Sequence, residues 1–197
     1  AASNETATIS INGVTGKTGV AENSTPQAVA ITITENESAP TVTISTALDN
    51  TFENSGSSLT LTATLSGATT EDVSVAITQS AGTAVLNTDY SLSSSTITIS
   101  AGSTTGSITI SCIDDNLWSG DSTFDLDVAS VTGGSASENG TQRRGFNCKD
   151  NESPPTVTLT TSATSIAENA GSSLTLTATL SVATNADVTV ALATSGT

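Results

Sequence analysis

The eleven residues Gly56–Ser66, GSSLTLTATLS, recur unchanged at Gly171–Ser181, 115 positions later. Pro40-Thr41-Val42-Thr43 returns at the same offset as Pro155-Thr156-Val157-Thr158, and Thr34-Glu35-Asn36-Glu37-Ser38 as Lys149-Asp150-Asn151-Glu152-Ser153. A repeat of domain length points to a tandem array of like units, and arrays are built for reach, spacing or adhesion more often than for turnover. The phase divides the chain into a complete unit at 38–152, the C-terminal part of a preceding unit at 1–37, and the N-terminal part of a following one at 153–197. The expectation is a window from a longer protein.

Within the repeat, apolar and polar residues alternate with period 2, and no segment carries a useful 3.6-residue period. Strands are predicted at about 41–47, 57–66, 72–79, 95–100, 106–113, 123–130 and 143–149. Turn-forming stretches such as Glu53-Asn54-Ser55-Gly56 and Thr132-Gly133-Gly134 separate them. About seven short strands at this spacing predict an all-β chain, an antiparallel β-sandwich in each unit. Leu59, Leu61, Ala63 and Leu65 form the expected inward row. The threonines between them suit the outward face, because a β-branch fits the pleat while the hydroxyl stays in water.

Ser and Thr supply 70 of the 197 residues, but the regular alternation sets the chain apart from a disordered polar tract. A net charge of −15, with Lys17, Arg143, Arg144 and Lys149 as the whole cationic inventory, argues against nucleic acid or an anionic membrane as partner. No run of 18 apolar residues would span a bilayer. The absence of His excludes the ordinary Ser-His-Asp and Cys-His arrangements, and enzyme function is not expected. Gly13–Gly19 lacks the spacing of a phosphate-binding loop. Five Asn-x-Ser/Thr sequons begin at Asn4, Asn23, Asn36, Asn139 and Asn151, and with so much Ser and Thr they arise readily by chance.

The acids are not scattered evenly. If successive strands reverse direction, the first, third, fifth and seventh finish at one end of the unit. Glu53 follows the first, Asp89 the third, Asp114 and Asp115 the fifth, and Asp150 and Glu152 the seventh, while Asp121 closes the loop after Asp115. Seven carboxylates are thus delivered to one pole. The other pole receives mainly Glu71, Asp72 and Glu138. Crowded like charges are unfavourable unless a cation neutralises them, and hard oxygens without His or thiolate favour Ca²⁺ over zinc or copper. The alternative is a solvated acidic rim.

Ile113-Asp114-Asp115-Asn116 with Gly120-Asp121, the Thr88-Asp89-Tyr90 step and the closing Asp150-Asn151-Glu152 together resemble Calx-beta domains. These are immunoglobulin-like sandwiches found in sodium–calcium exchangers and in many large bacterial surface proteins. The resemblance covers 40–152 and extends into both flanks. It implies Ca²⁺ ligation by Glu53, Asp89, Asp114, Asp115, Asp150 and Glu152. Ser119 and Ser122 stand where exchanger-type motifs place glutamates, and Asn151 replaces an aspartate. Fewer or looser Ca²⁺ ions than in a sensor domain are therefore expected.

Cys112 shares a strand face with Ile108 and Ile110, and Cys148 with Phe146. The preceding unit has Ile33 at the position of Cys148. Two inward cysteines near one pole fit an inter-sheet disulfide in an extracellular setting, or else two free buried thiols. Trp118, between Asp115 and Asp121, reads as a hydrophobic lid on its loop, and Arg143-Arg144 as a charged strand edge.

These readings converge on an extracellular or cell-surface stalk, spacer or adhesive filament. Its expected partners are neighbouring units or like chains and a cell-surface or matrix target, with Ca²⁺ near the unit junction. The linkers Ser38-Ala39-Pro40 and Ser153-Pro154-Pro155 are short and stiffened by proline. The rivals are a self-assembling fibre subunit completed by neighbouring chains, and a Ca²⁺-sensing regulatory module.

Overall fold

The computed structural model describes residues 4–23, 27–169 and 171–196. Ser24 and Thr25 of the Asn23 sequon lie outside the described residues. The strands are β1 (Glu5–Ser10), β2 (Ala28–Ile33), β3 (Thr41–Thr46), β4 (Asn50–Phe52), β5 (Ser58–Leu65), β6 (Val73–Gly82), β7 (Tyr90–Leu92) and β8 (Thr96–Ile99). They continue with β9 (Thr105–Cys112), β10 (Leu117–Trp118), β11 (Ser122–Thr132), β12 (Ser137–Glu138), β13 (Arg143–Lys149), β14 (Val157–Thr161), β15 (Leu176–Leu180) and β16 (Ala183–Thr184). All seven predicted strands are present, with four short additions between them at β4, β7, β10 and β12.

Two five-stranded sheets face each other, in the orders β12-β3-β5-β9-β7 and β4-β13-β11-β6-β8. The chain does not run up and down within one sheet. It crosses from one sheet to the other at every step from β3 to β13, with β10 outside both sheets. Such crossings keep both inner faces covered, because each new strand is laid on the sheet opposite its predecessor. Strand direction still reverses at each long strand: β3 and β9 are both antiparallel to β5, and β6 and β13 are both antiparallel to β11. Four chain segments therefore finish at one pole.

The alternation read from sequence is the packing pattern. Leu59, Leu61, Ala63 and Leu65 are buried, and the threonines between them on β5 point away from the core. Val42 and Ile44 of β3, Val73 and Val75 of β6, and Ile97 and Ile99 of β8 are likewise closed to solvent. Across the middle, Tyr90 stacks on Phe124 with ring centres 3.7 Å apart, and Phe124 in turn lies 5.4 Å from Phe146. The Tyr90 hydroxyl, which burial holds to its protonated form, donates to Gln79 Oε1 at 2.9 Å. The three rings carry the core toward the acidic pole.

The flanks repeat this geometry in part. Val157 pairs with Leu180 in β14–β15 as Val42 pairs with Leu65 in β3–β5, an identical register 115 residues on. Val157 and Leu159 are nonetheless 44% and 50% exposed, where Val42 and Ile44 are 0%. Among the described residues a second sheet covers β3 and none covers β14. Ile31 and Ile33 of the β1–β2 hairpin are exposed for the same reason.

Candidate metal centre

The pole at the ends of β4, β9 and β13 gathers carboxylates from three separate parts of the chain. Asn50–Phe52 runs parallel to Asn147–Lys149, which places Glu53, one residue past β4, beside the segment leaving β13. Glu53 opens a single 3-10 turn, Glu53–Ser55, that Gly56 ends in the left-handed region at φ 64°. Glu53 Oε1 accepts the Asn151 N–H at 3.4 Å. Carboxylate oxygens of Glu53, Asp115 and Glu152 all lie within 4.8 Å of one another.

The Asn151 side chain sits at the centre of this group. With its nitrogen turned inward, Nδ2 lies 3.0 Å from Glu53 Oε1, 2.9 Å from Glu152 Oε2 and 3.3 Å from Asp114 Oδ1, and Oδ1 accepts from Asn54 Nδ2 at 2.8 Å. That orientation suits a cation-free site, since the amide supplies the donor that four-way oxygen crowding otherwise lacks. Turned by half a rotation, the same amide presents an oxygen to the point on which the carboxylates converge.

Asp150 and Asp121 do different work. Asp150 Oδ2 accepts the N–H groups of Ser119 and Gly120, both at 2.6 Å, and Oδ1 accepts the Glu152 N–H at 2.8 Å. Gly120 holds φ 77°, a left-handed conformation that glycine adopts without strain. Burial alone would raise the Asp150 carboxyl, but the N–H groups of Ser119, Glu152 and Gly120 outweigh it and hold Asp150 below its ordinary value. Asp121 Oδ1 accepts from the Asp150 N–H at 3.3 Å, and Asp121 Oδ2 from Asn147 Nδ2 at 3.2 Å. These two acids pin the loop after β10 to the end of β13. Asp115 Oδ1 also accepts the Leu117 N–H at 2.7 Å.

Asp89 stands apart from the converging oxygens. Its Oδ2 accepts the Val85 N–H at 2.6 Å, closing the turn before β7, and its carbonyl accepts the Ile113 N–H at 2.9 Å. Asp89 thus braces the start of the Asp114–Asp115 segment through its backbone. The sequence reading missed the central amide of Asn151 and the N–H cradle at Ser119–Gly120. Gly120 directly before Asp121 was the available signal for the cradle.

Electrostatically the group is poised for a cation. Among the described residues, the ion pairs are those of Arg143 with Asp125 and Asp127 on the outer face of β11–β13, and none reaches this pole. Burial pushes Glu53 up to about 7, and the negative charges of Asp115, Asp150 and Glu152 add to it against the Asn151 N–H. Glu152 is raised by burial, by its bond to Asp150, and by the fields of Asp150 and Asp114. Oxygen donors from Glu53, Asp115, Glu152 and Asn151, with Asp114 beside them, fit a hard divalent cation of the Ca²⁺ type. Of the seven acids read from sequence as ligands, the structure brings carboxylate oxygens of Glu53, Asp115 and Glu152 together.

Cys112 and Cys148 form a disulfide with Cα atoms 5.6 Å apart, joining β9 of one sheet to β13 of the other. The pole also meets the next repeat. Leu117–Trp118 pairs in parallel with Ala183–Thr184, so β10 and β16 form a two-stranded sheet. Trp118 therefore lies on a strand paired with Ala183–Thr184 and is not merely a cover over its own loop. At the opposite end, a cleft of about 850 Å³ is lined by Glu35, Glu37 and Pro40 on one side and by Thr69, Glu71 and Gly134 on the other.

The sheets β12-β3-β5-β9-β7 and β4-β13-β11-β6-β8 define an immunoglobulin-like β-sandwich. The Calx-beta domain model matches residues 35–143, and the chain belongs to that family. Among solved structures, the apo-form Calx CBD1 domain matches at 18% identity and TM-score 0.46, over 57% of this chain and 99% of that one. CBD12 from CALX1.2 matches at 18% identity and TM-score 0.45, over 55% of this chain and 44% of that one. The calcium binding domain CBD12 of CALX1.1 matches at 20% identity and TM-score 0.43, over 51% and 40%. Comparison with curated protein sequences gives no match.

Proposed function

We propose that this chain is a non-enzymatic structural repeat of an extracellular surface protein, a stalk, spacer or adhesive filament, in which Ca²⁺ stiffens the junction between units. The observation that carries the reading is the convergence of Glu53, Asp115 and Glu152 within 4.8 Å, on the pole whose Leu117–Trp118 strand pairs with the following repeat. Glu53, Asp115, Glu152 and the Asn151 amide would hold the ion, with Asp114 as a further oxygen donor. Asp150 and Asp121 would hold the loop. The bound cation would supply the positive charge that these carboxylates lack.

Membership of the Calx-beta family supports the cation, and the disulfide supports an oxidising compartment outside the cytosol. Among the described residues no helix is long and apolar enough to cross a membrane. Stiffening follows from geometry. Asp115 and Glu152 lie on the segments that lead to β10 and to the Ser153-Pro154-Pro155 linker, so a cation that joins them fixes both routes to the next repeat.

Small-angle scattering of the chain in Ca²⁺ and in EDTA tests this. The expected result is a longer, narrower distance distribution and slower linker proteolysis in Ca²⁺. Identical curves and cleavage rates would overturn it, whereas sub-micromolar affinity without a change in shape would favour a Ca²⁺-sensing regulatory module.

A further inference from the structure

Four acids around the candidate centre, Asp114, Asp115, Asp150 and Glu152, lie at short distances along the chain from the covalent link between the sheets. Cys112 ends β9, and Asp114 and Asp115 follow two and three residues later. Cys148 pairs with Thr51 in the middle of the three-residue β13–β4 ladder, and Asp150 and Glu152 follow two and four residues later. At roughly 3.3–3.6 Å per residue, neither group has more than about 14 Å of chain between itself and the bridge.

Facing sheets ordinarily stand about 10 Å apart, with only side-chain packing to set the gap. Here the bond brings the Cα atoms of Cys112 and Cys148 to 5.6 Å at the acidic end. Beyond the bridge the Asp114–Asn116 and Asp150–Asn151 segments have no ladder pairing. Their positions are held by the disulfide and by single hydrogen bonds: Ile113 N–H on the Asp89 carbonyl, Leu117 N–H on Asp115, Ser119 and Gly120 N–H on Asp150, Asp150 N–H on Asp121, and Asn151 N–H on Glu53.

Like charges drive the two acid-bearing segments apart, and the disulfide opposes that separation. The preceding repeat offers an internal contrast, because Ile33 stands at the position of Cys148 just before Glu35 and Glu37.

Resting on the cation-site reading above, we propose that the Cys112–Cys148 disulfide is the positioning element of that site. It sets the spacing between the Asp114–Asp115 and Asp150–Glu152 ligand groups, so that reduction weakens Ca²⁺ binding. The two cysteines touch no ligand; they act through the strand ends that carry the acids. Coordination of Ca²⁺ requires oxygens at 2.3–2.6 Å, so widening the gap by about 1 Å removes one side of the shell.

The coupling is reciprocal. Whatever factor reduction removes from Ca²⁺ affinity, Ca²⁺ must add to the resistance of the disulfide to reduction. A tenfold coupling corresponds to about 30 mV for a two-electron couple. A disulfide that only stabilises the fold would show no such dependence while both forms remain folded.

The test uses the full 197-residue chain and Ca²⁺ alone as probe. Calorimetric titration compares the oxidised chain, the chain reduced with a phosphine, and Cys112→Ala/Cys148→Ile, with circular dichroism confirming a folded sandwich in each. In parallel, the reduction midpoint of the native chain is measured in dithiol buffers containing EDTA or saturating Ca²⁺. The proposal expects at least tenfold weaker binding without the bond, and a midpoint at least about 30 mV more negative in Ca²⁺.

Equal affinities and an unmoved midpoint would overturn the proposal while leaving the cation site intact. Absence of Ca²⁺ binding by the oxidised chain would overturn the cation site and the proposal with it. If the double variant fails to fold, the midpoint of the native chain decides alone.

Discussion

Removing the Cys112–Cys148 bond should destabilise the complete repeat by an amount that the topology fixes. The bond closes a loop with a sequence separation of 36. In the chain-entropy model, a loop of that length loses roughly 12.8 cal/mol/K on closure, about 3.8 kcal/mol at 25 °C. Because the residue is buried at 148, Cys112→Ala/Cys148→Ala avoids placing an unpaired hydroxyl in the core. Urea unfolding in EDTA is followed by circular dichroism and by the fluorescence of Trp118, the chain's only tryptophan, and the two transitions must coincide, because Trp118 also pairs with Thr184. The expected loss is roughly 3–4 kcal/mol with an increased dependence on urea, as the unbridged chain exposes more surface when unfolded. For a unit of this size that corresponds to a fall in Tm of about 15 °C. A loss below about 1 kcal/mol would refute the reasoning, and would mean that packing of Phe124, Phe146 and Tyr90 holds the sheets without help.

Two further outcomes follow from the acidic pole. Glu53 is raised to about 7, and Glu152 is raised too, chiefly by burial. Carboxyls whose folded pKa exceeds the unfolded value hold protons preferentially in the folded state, so stability falls as pH rises from about 4.5 to about 7. Thermal melts in EDTA should therefore show a lower Tm at pH 7.5 than at pH 5, and saturating Ca²⁺ should abolish the difference; a Tm that rises with pH in EDTA would contradict the assignment. Asp150→Ala should lower stability by about 2–3 kcal/mol in urea unfolding, because it deprives the Ser119, Gly120 and Glu152 N–H groups of a charged acceptor.

How much of this was legible beforehand depends on the range of the interaction. Strand positions were readable because alternation such as Leu59-Thr60-Leu61-Thr62 is a local consequence of the pleat. The facing of Cys112 and Cys148 was readable because phase along a strand gives the side, and it led to the inter-sheet bond. Crossing between the sheets was not readable, since alternation has the same form on either sheet. The local role of Asp89 was not readable either: its carboxylate accepts the Val85 N–H four residues back, a turn that direction of travel alone does not reveal. Asn151 looked like a weakened ligand, yet its amide lies among three carboxylates, because parallel pairing of β4 with β13 brings Glu53 alongside it. The pairing of Leu117–Trp118 with Ala183–Thr184 joins residues 66 apart in sequence and left no local mark.

Calorimetric titration of the oxidised chain with Ca²⁺ at pH 7.5, beside Glu53→Gln and Glu152→Gln, tests the central claim most directly. The account predicts saturable binding by the native chain, with a fraction of a proton released at pH 7.5 and more at pH 6.5, because Glu53 titrates at about 7. It predicts at least tenfold weaker binding by each variant, with no loss of stability in EDTA because a crowded charge has been removed. Binding that is unchanged in both variants, or no binding by the native chain, would contradict it.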